Sequence, residues 1–120
     1  MAPVVIGHRG ASALAPENTL ATLREAHRAG LSWVELDAML TADRTPVVFH
    51  DHRLERLTGA NGLVSRTPSE AVVGLPVLGG RSAEHAVPRL GDALQLVAAL
   101  GLNLSLEIKV NRLGRGAIPE

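Results

Sequence analysis

Hydrophobic and polar positions change period several times along this chain, and each change marks an element. "VVIGHR", residues 4–9, is a short apolar run that ends in an imidazole and a guanidinium, and it reads as a buried strand. "APENTLATLREAHRAG", residues 15–30, spaces Leu20, Leu23 and Ala26/His27 as the modest apolar face of a helix. Pro16 is expected in its first turn, Glu17 at the positive end of its dipole and Gly30 at C′. "WVELDAML", residues 33–40, alternates as a strand, with Val34, Leu36 and Ala38 on one face and Trp33, Glu35, Asp37 and Met39 on the other. Glu35 and Asp37 therefore share a face, roughly 6–7 Å apart. "TPVVFH", residues 45–50, is a further strand reached through "TADR" alone. A parallel crossover needs about a dozen residues or more, so this strand is predicted to be an antiparallel excursion.

Residues 53–88 are rich in Gly, Pro, Ser and Arg and read as an irregular insertion, with a short helix begun by a capping box at "TPSE", residues 67–70. "RLGDALQLVAALG", residues 89–101, predicts a helix with Leu90, Ala93, Leu94, Val97 and Leu100 on one side. "LNLSLEIKV", residues 102–110, predicts a strand with Leu102, Leu104, Leu106 and Ile108 on one face and Asn103, Ser105, Glu107 and Lys109 on the other. The order strand, helix, strand, insertion, helix, strand is an α/β pattern with a parallel sheet. Polar residues gather at the C-terminal ends of the strands, where α/β barrels and open α/β sheets build their sites.

Composition narrows the function. With Lys+Arg at 12 and Asp+Glu at 12, the balanced charge argues against general affinity for nucleic acid or anionic membrane. Only Trp33 and Phe49 are aromatic, too few for base stacking. There is no cysteine, hence no disulfide or thiolate chemistry. The N-terminus lacks the pattern of a signal peptide and no apolar run is long enough to span a bilayer, so the expected location is cytoplasmic.

Three carboxylates, Glu35, Asp37 and Glu107, form a hard oxygen set suited to Mg²⁺, Mn²⁺ or Ca²⁺, or else are surface acids plus one acid paired with Lys109. Arg9 and Lys109 bring donors suited to a phosphate, or simply neutralise those acids. His8 and His50 lie at strand ends, where two imidazoles can divide proton transfer in a phosphodiester cleavage. Asp51 either orients His50 or merely ends the strand. Glu17 and Asn18 read as helix-start residues, and His27, His52 and His85 as surface or local hydrogen-bonding groups.

In order, "HRG…APENTL", "ELD", "TPVVFHD" and "LEIK" resemble the successive motifs of the glycerophosphodiester phosphodiesterase family, from about residue 5 to 109. The resemblance implies a TIM (β/α)8 barrel that hydrolyses glycerophosphodiesters to glycerol 3-phosphate and an alcohol with a divalent cation, Mg²⁺ or Ca²⁺. Position by position it implies His8 and His50 as acid/base residues, Glu35, Asp37 and Glu107 as metal ligands, and Arg9 and Lys109 as phosphate contacts. Such a barrel needs about 200 residues or more. The 120 residues are therefore expected to be a partial domain of three barrel strands and two barrel helices, with an insertion over about 41–88. Alone, such a chain is expected to be marginally folded, weakly active or inactive, and open to association through its sheet edge. The alternatives are a non-catalytic remnant binding metal, phosphate or a partner chain, and a related phospholipid phosphodiesterase. The second lacks an amphipathic helix to grip a membrane.

Overall fold

The structure, a computed structural model, describes residues 5–109. Three parallel strands form its frame: β1 (Ile6–His8), β2 (Trp33–Leu40) and β4 (Asn103–Ile108). A short antiparallel strand, β3 (Pro46–Val48), joins the same sheet. β4 covers one flank of β2 from Trp33 to Ala38, while β1 and β3 lie end to end along the other. The four-residue link thus produces the antiparallel turn-back that its length demands. β2 has the bounds its alternation predicts, β1, β3 and β4 are shorter at their ends than the runs suggest, and Val4 and Val110 lie outside the described residues.

Val34 and Leu36 are buried against two helices, α1 (Leu20–Arg28) and α4 (Leu90–Ala99), together with Leu23, Ala26, Ala93 and Val97, and Ala38 is buried in the same row of the strand. The alternation from Val34 to Asp37 has its physical cause in that helical cover, while Met39, on the other face, is buried by the segment that follows β3. In α4, Leu96 packs on this core, whereas Leu94, expected on the buried side, is 41% exposed. A ten-residue helix has room for one narrow stripe, and Ala93 and Val97 occupy it.

The helix expected over residues 15–30 begins later. Thr19 is its N-cap, accepting from the Thr22 N–H, so Pro16, Glu17 and Asn18 lie in the loop before it and not in its first turn.

The stretch from 53 to 88 is not irregular packing. It carries α2 (Glu55–Thr58), α3 (Ser69–Val72) and two 3₁₀ turns, Val64–Arg66 and Ala83–His85. Leu54, Leu57, Val64, Val72, Val77 and Val87 close with Met39, Val47 and Phe49 into a second apolar cluster. The expected capping box is absent: Pro68 stands at the N-cap of α3, and Thr67 donates instead to the Leu63 carbonyl. Asp43, from the β2–β3 turn, replaces it by accepting from both the Ser69 N–H and the Ser69 hydroxyl. A hydrogen bond from the Thr41 hydroxyl, and after it those from Ser69, hold the Asp43 carboxyl well below its ordinary range.

Candidate active site

The site begins with a backbone constraint. After β1 the chain turns through Arg9 and Gly10, both in the left-handed region at φ 53° and 85°. A Cβ at Gly10 would come within 2.2 Å of the Thr22 side chain, so only glycine lets the loop lie against α1. The Gly10 N–H still donates to the Glu35 carbonyl, and the Asn18 N–H donates to the Arg9 carbonyl, which closes the loop.

Parallel register then sets the rows. His8, Glu35 and Ser105 are directly opposite one another, and Asp37 opposes Glu107 one step further along. Partners in register share a face, so His8 and all three acids stand on the face away from α1 and α4. His8 Nε2 is 3.1 Å from Glu35 Oε1. Asp37, only 4% exposed, is held by Asn18 twice over. The Asn18 amide donates to Asp37 Oδ2 at 3.0 Å, and the Asp37 N–H donates to Asn18 Oδ1 at 3.1 Å.

Arg9 reaches the same acid. Its Nε, buried and without a hydrogen-bond partner, lies 3.6 Å from Asp37 Oδ2, while Nη1 donates to both oxygens of Glu17 at 3.2 and 3.1 Å. Glu107 faces Lys109 Nζ at 3.9 Å, and the Lys109 N–H donates to the Ala38 carbonyl, extending the ladder beyond β4.

His50 follows β3. Its Nδ1 stands 2.7 Å from Asp51 Oδ1. Asp51 is gripped from the other side by Arg56, which lowers its carboxyl to about 2. The carboxylate is then acceptor only, so Nδ1 carries a proton, and in the neutral ring Nε2 is left as the acceptor. Of the two readings open for Asp51, orientation of His50 is the one its contacts match.

The acids offer a hard oxygen set, and both Glu35 and Glu107 retain substantial exposure at 36% and 60% of their side chains. By donor chemistry they suit a divalent cation. Among the described residues, however, no three His, Asp or Glu side chains close into a group able to hold an ion. Glu35 leans on His8, Asp37 on Asn18, and Glu107 on Lys109.

Glu17, Asn18 and Arg56 are the residues that sequence reasoning missed. "PEN" has helix-start chemistry, and only the pairing with an acid nineteen residues on reveals the other use. His27 and His52 are exposed and His85 is half-buried. A hollow between Arg24, His27, Arg28 and Leu100 lies at the C-terminal ends of α1 and α4, the opposite end of the sheet. Among the described residues no helix is long and apolar enough to cross a membrane.

Comparison with known proteins matches this arrangement to one group. Residues 8–113 match the glycerophosphoryl diester phosphodiesterase family. A glycerophosphodiester phosphodiesterase of Caldanaerobacter subterraneus subsp. tengcongensis is 34% identical over 112 residues, 91% of this chain and 46% of the relative. Among solved structures, an Oleispira antarctica phosphodiesterase in complex with the product sn-glycerol-3-phosphate superposes with a TM-score of 0.83 at 41% identity. The match covers 90% of this chain and 45% of that one. A glycerophosphodiester phosphodiesterase of Thermotoga maritima gives 0.75 at 31%, over 91% and 45%. This chain thus spans less than half the length of these relatives. With the match running from His8 past Lys109 through every strand that bears an acid, the chain belongs to the glycerophosphoryl diester phosphodiesterase family.

Proposed function

We propose that the chain forms the N-terminal part of a glycerophosphodiester phosphodiesterase site, hydrolysing a glycerophosphodiester to glycerol 3-phosphate and an alcohol. The observation that carries this reading is the in-register row of His8 with Glu35 and of Asp37 with Glu107 at the C-terminal ends of parallel strands. β1, α1, β2, α4 and β4 are then the opening units of a TIM barrel, the segment over about 41–88 is an insertion in it, and the whole is a partial domain.

In this reading Glu35, Asp37 and Glu107 would hold a divalent cation, Mg²⁺ or Ca²⁺, which when bound supplies positive charge against the phosphate oxygens. Arg9 and Lys109 contact the phosphate. Arg9 is already shared with Glu17 and Asp37, so its guanidinium is aimed by them and not free to swing. His50, with Nδ1 on Asp51, accepts the proton of the attacking water at Nε2, or first that of a glycerol hydroxyl, whose attack gives a cyclic phosphate that water then opens to glycerol 3-phosphate. His8 returns a proton to the leaving alkoxide.

The test is release of glycerol 3-phosphate from glycerophosphocholine by the purified chain, with and without added Mg²⁺ or Ca²⁺, and with His50→Ala as control. Cation-dependent release that the control lacks is the expected result. Equal release by His50→Ala, or none by the wild-type chain, overturns the reading for this chain.

A further inference from the structure

Carboxylates and guanidinium groups run through the site in one uninterrupted line, and its middle link is Arg56, on a four-residue helix of the 41–88 segment. Arg56 Nε and Nη2 donate to Asp51 Oδ2 and Oδ1 at 2.8 and 3.0 Å, a two-pronged grip. The same Nη2 reaches Glu17 Oε2 at 3.4 Å. Beyond Asp51 stands His50, and beyond Glu17 stands Arg9. One side chain therefore touches the carboxylate behind the imidazole and the carboxylate behind the phosphate-side guanidinium.

We propose that Arg56 is a positioning residue, which locks Asp51 beside His50 and thereby sets the imidazole tautomer, while tying that corner to the Glu17–Arg9 arm. What His50 then does in catalysis rests on the phosphodiesterase reading; the tautomer does not.

The physical argument is a count of restraints. With Arg56 present, the Asp51 carboxylate takes three hydrogen bonds, two from Arg56 and one from His50. Without Arg56 one remains, and a carboxylate with 22% of its side chain exposed is free to rotate toward water. The neutral imidazole then returns to its ordinary preference for a proton on Nε2, the nitrogen that must accept one. A lysine at the same place keeps the charge but loses the fork. A purely structural ion pair would lower the melting temperature on removal and leave the tautomer where it was.

The experiment is ¹⁵N NMR of the imidazole nitrogens in the full 120-residue chain. It is run at about pH 8.5, above the ordinary imidazole range, and His50 is assigned by the signals lost in His50→Ala. The wild type should show Nδ1–H at His50. Arg56→Gln should move most of that population to Nε2–H, and Arg56→Lys a smaller part. In turnover of glycerophosphocholine, Arg56→Gln should lower kcat on the order of ten-fold with KM unchanged.

His50 retaining its full Nδ1–H population in folded Arg56→Gln overturns the proposal. If the Gln variant does not fold, an unchanged tautomer in Arg56→Lys overturns it equally. A tautomer shift in a chain whose wild type shows no turnover upholds the positioning role and counts against the phosphodiesterase reading alone.

Discussion

Replacing Asn18 by alanine tests the innermost contact of the site. Asn18 is 2% exposed, sits at φ 56°, and satisfies both the Asp37 carboxylate and the Asp37 N–H. Alanine removes a hydrogen bond to a charged acceptor, worth about 2 kcal/mol, and strands a buried amide at a cost of about 1 kcal/mol more. It also removes the short polar side chain that lets asparagine adopt left-handed backbone, at about 1 kcal/mol. The expected loss is about 4 kcal/mol, a large share of the stability of any small domain. Asn18→Gly loses the same bonds without the backbone strain, so it should fall short of wild type by about 3 kcal/mol. Urea unfolding of the three proteins, with the slope checked for constancy, measures both differences. An alanine variant within about 0.5 kcal/mol of wild type would mean that water replaces the amide at no cost. A glycine variant no better than alanine would refute the strain assigned to residue 18.

Phe49→Ala removes the largest fully buried side chain, one that belongs to the second apolar cluster, and should cost about 3–5 kcal/mol by the same unfolding assay. Asp51 titrates at about 2 in the folded chain against an ordinary 3.8, so its contribution is complete above the ordinary value and is lost as pH falls toward 2. Thermal melts across that window should decline for wild type and decline less steeply for Asp51→Asn; parallel curves would remove Asp51 from the account. Glu35→Gln should weaken cation binding in a calorimetric titration and lower turnover, with added cation restoring part of the rate; unchanged binding would take Glu35 out of the ligand set.

Much of this architecture can be read from the chain because one face of each long strand is covered. Val34 and Leu36 alternate with Glu35 and Asp37 because α1 and α4 cover that side of the strand, and that same alternation places the acids. The antiparallel return of β3 follows from the length of "TADR" alone. The second cluster escapes such reading because its elements are too short for a period. α2 contributes Leu57, α3 contributes Val72, β2 and β3 contribute Met39 and Val47, and the rest comes from turns between isolated bridges such as Pro76 with Ala86. Pro16, Glu17 and Asn18 mislead for a different reason: proline, acid and amide are favoured both at helix starts and in tight loops. Only the partner, Asp37, separates the two. Arg56 has no local signature, being one arginine among eleven.

The flanking of β2 has a consequence for how this sequence is able to vary. Glu35 is opposite His8 on one side and Ser105 on the other, and Ala38 is opposite Val48 and Ile108. A residue gained or lost within β2 would turn every later side chain to the opposite face. Glu35 and Asp37 would then face α1 and α4, and Leu36 would stand among the polar groups. Length changes are therefore better tolerated in the turns after β3, over 49–88, where the ladder contacts are isolated bridges at Arg53 with Leu63 and Pro76 with Ala86. Drift in chain length belongs to that segment, and β2 keeps its eight residues.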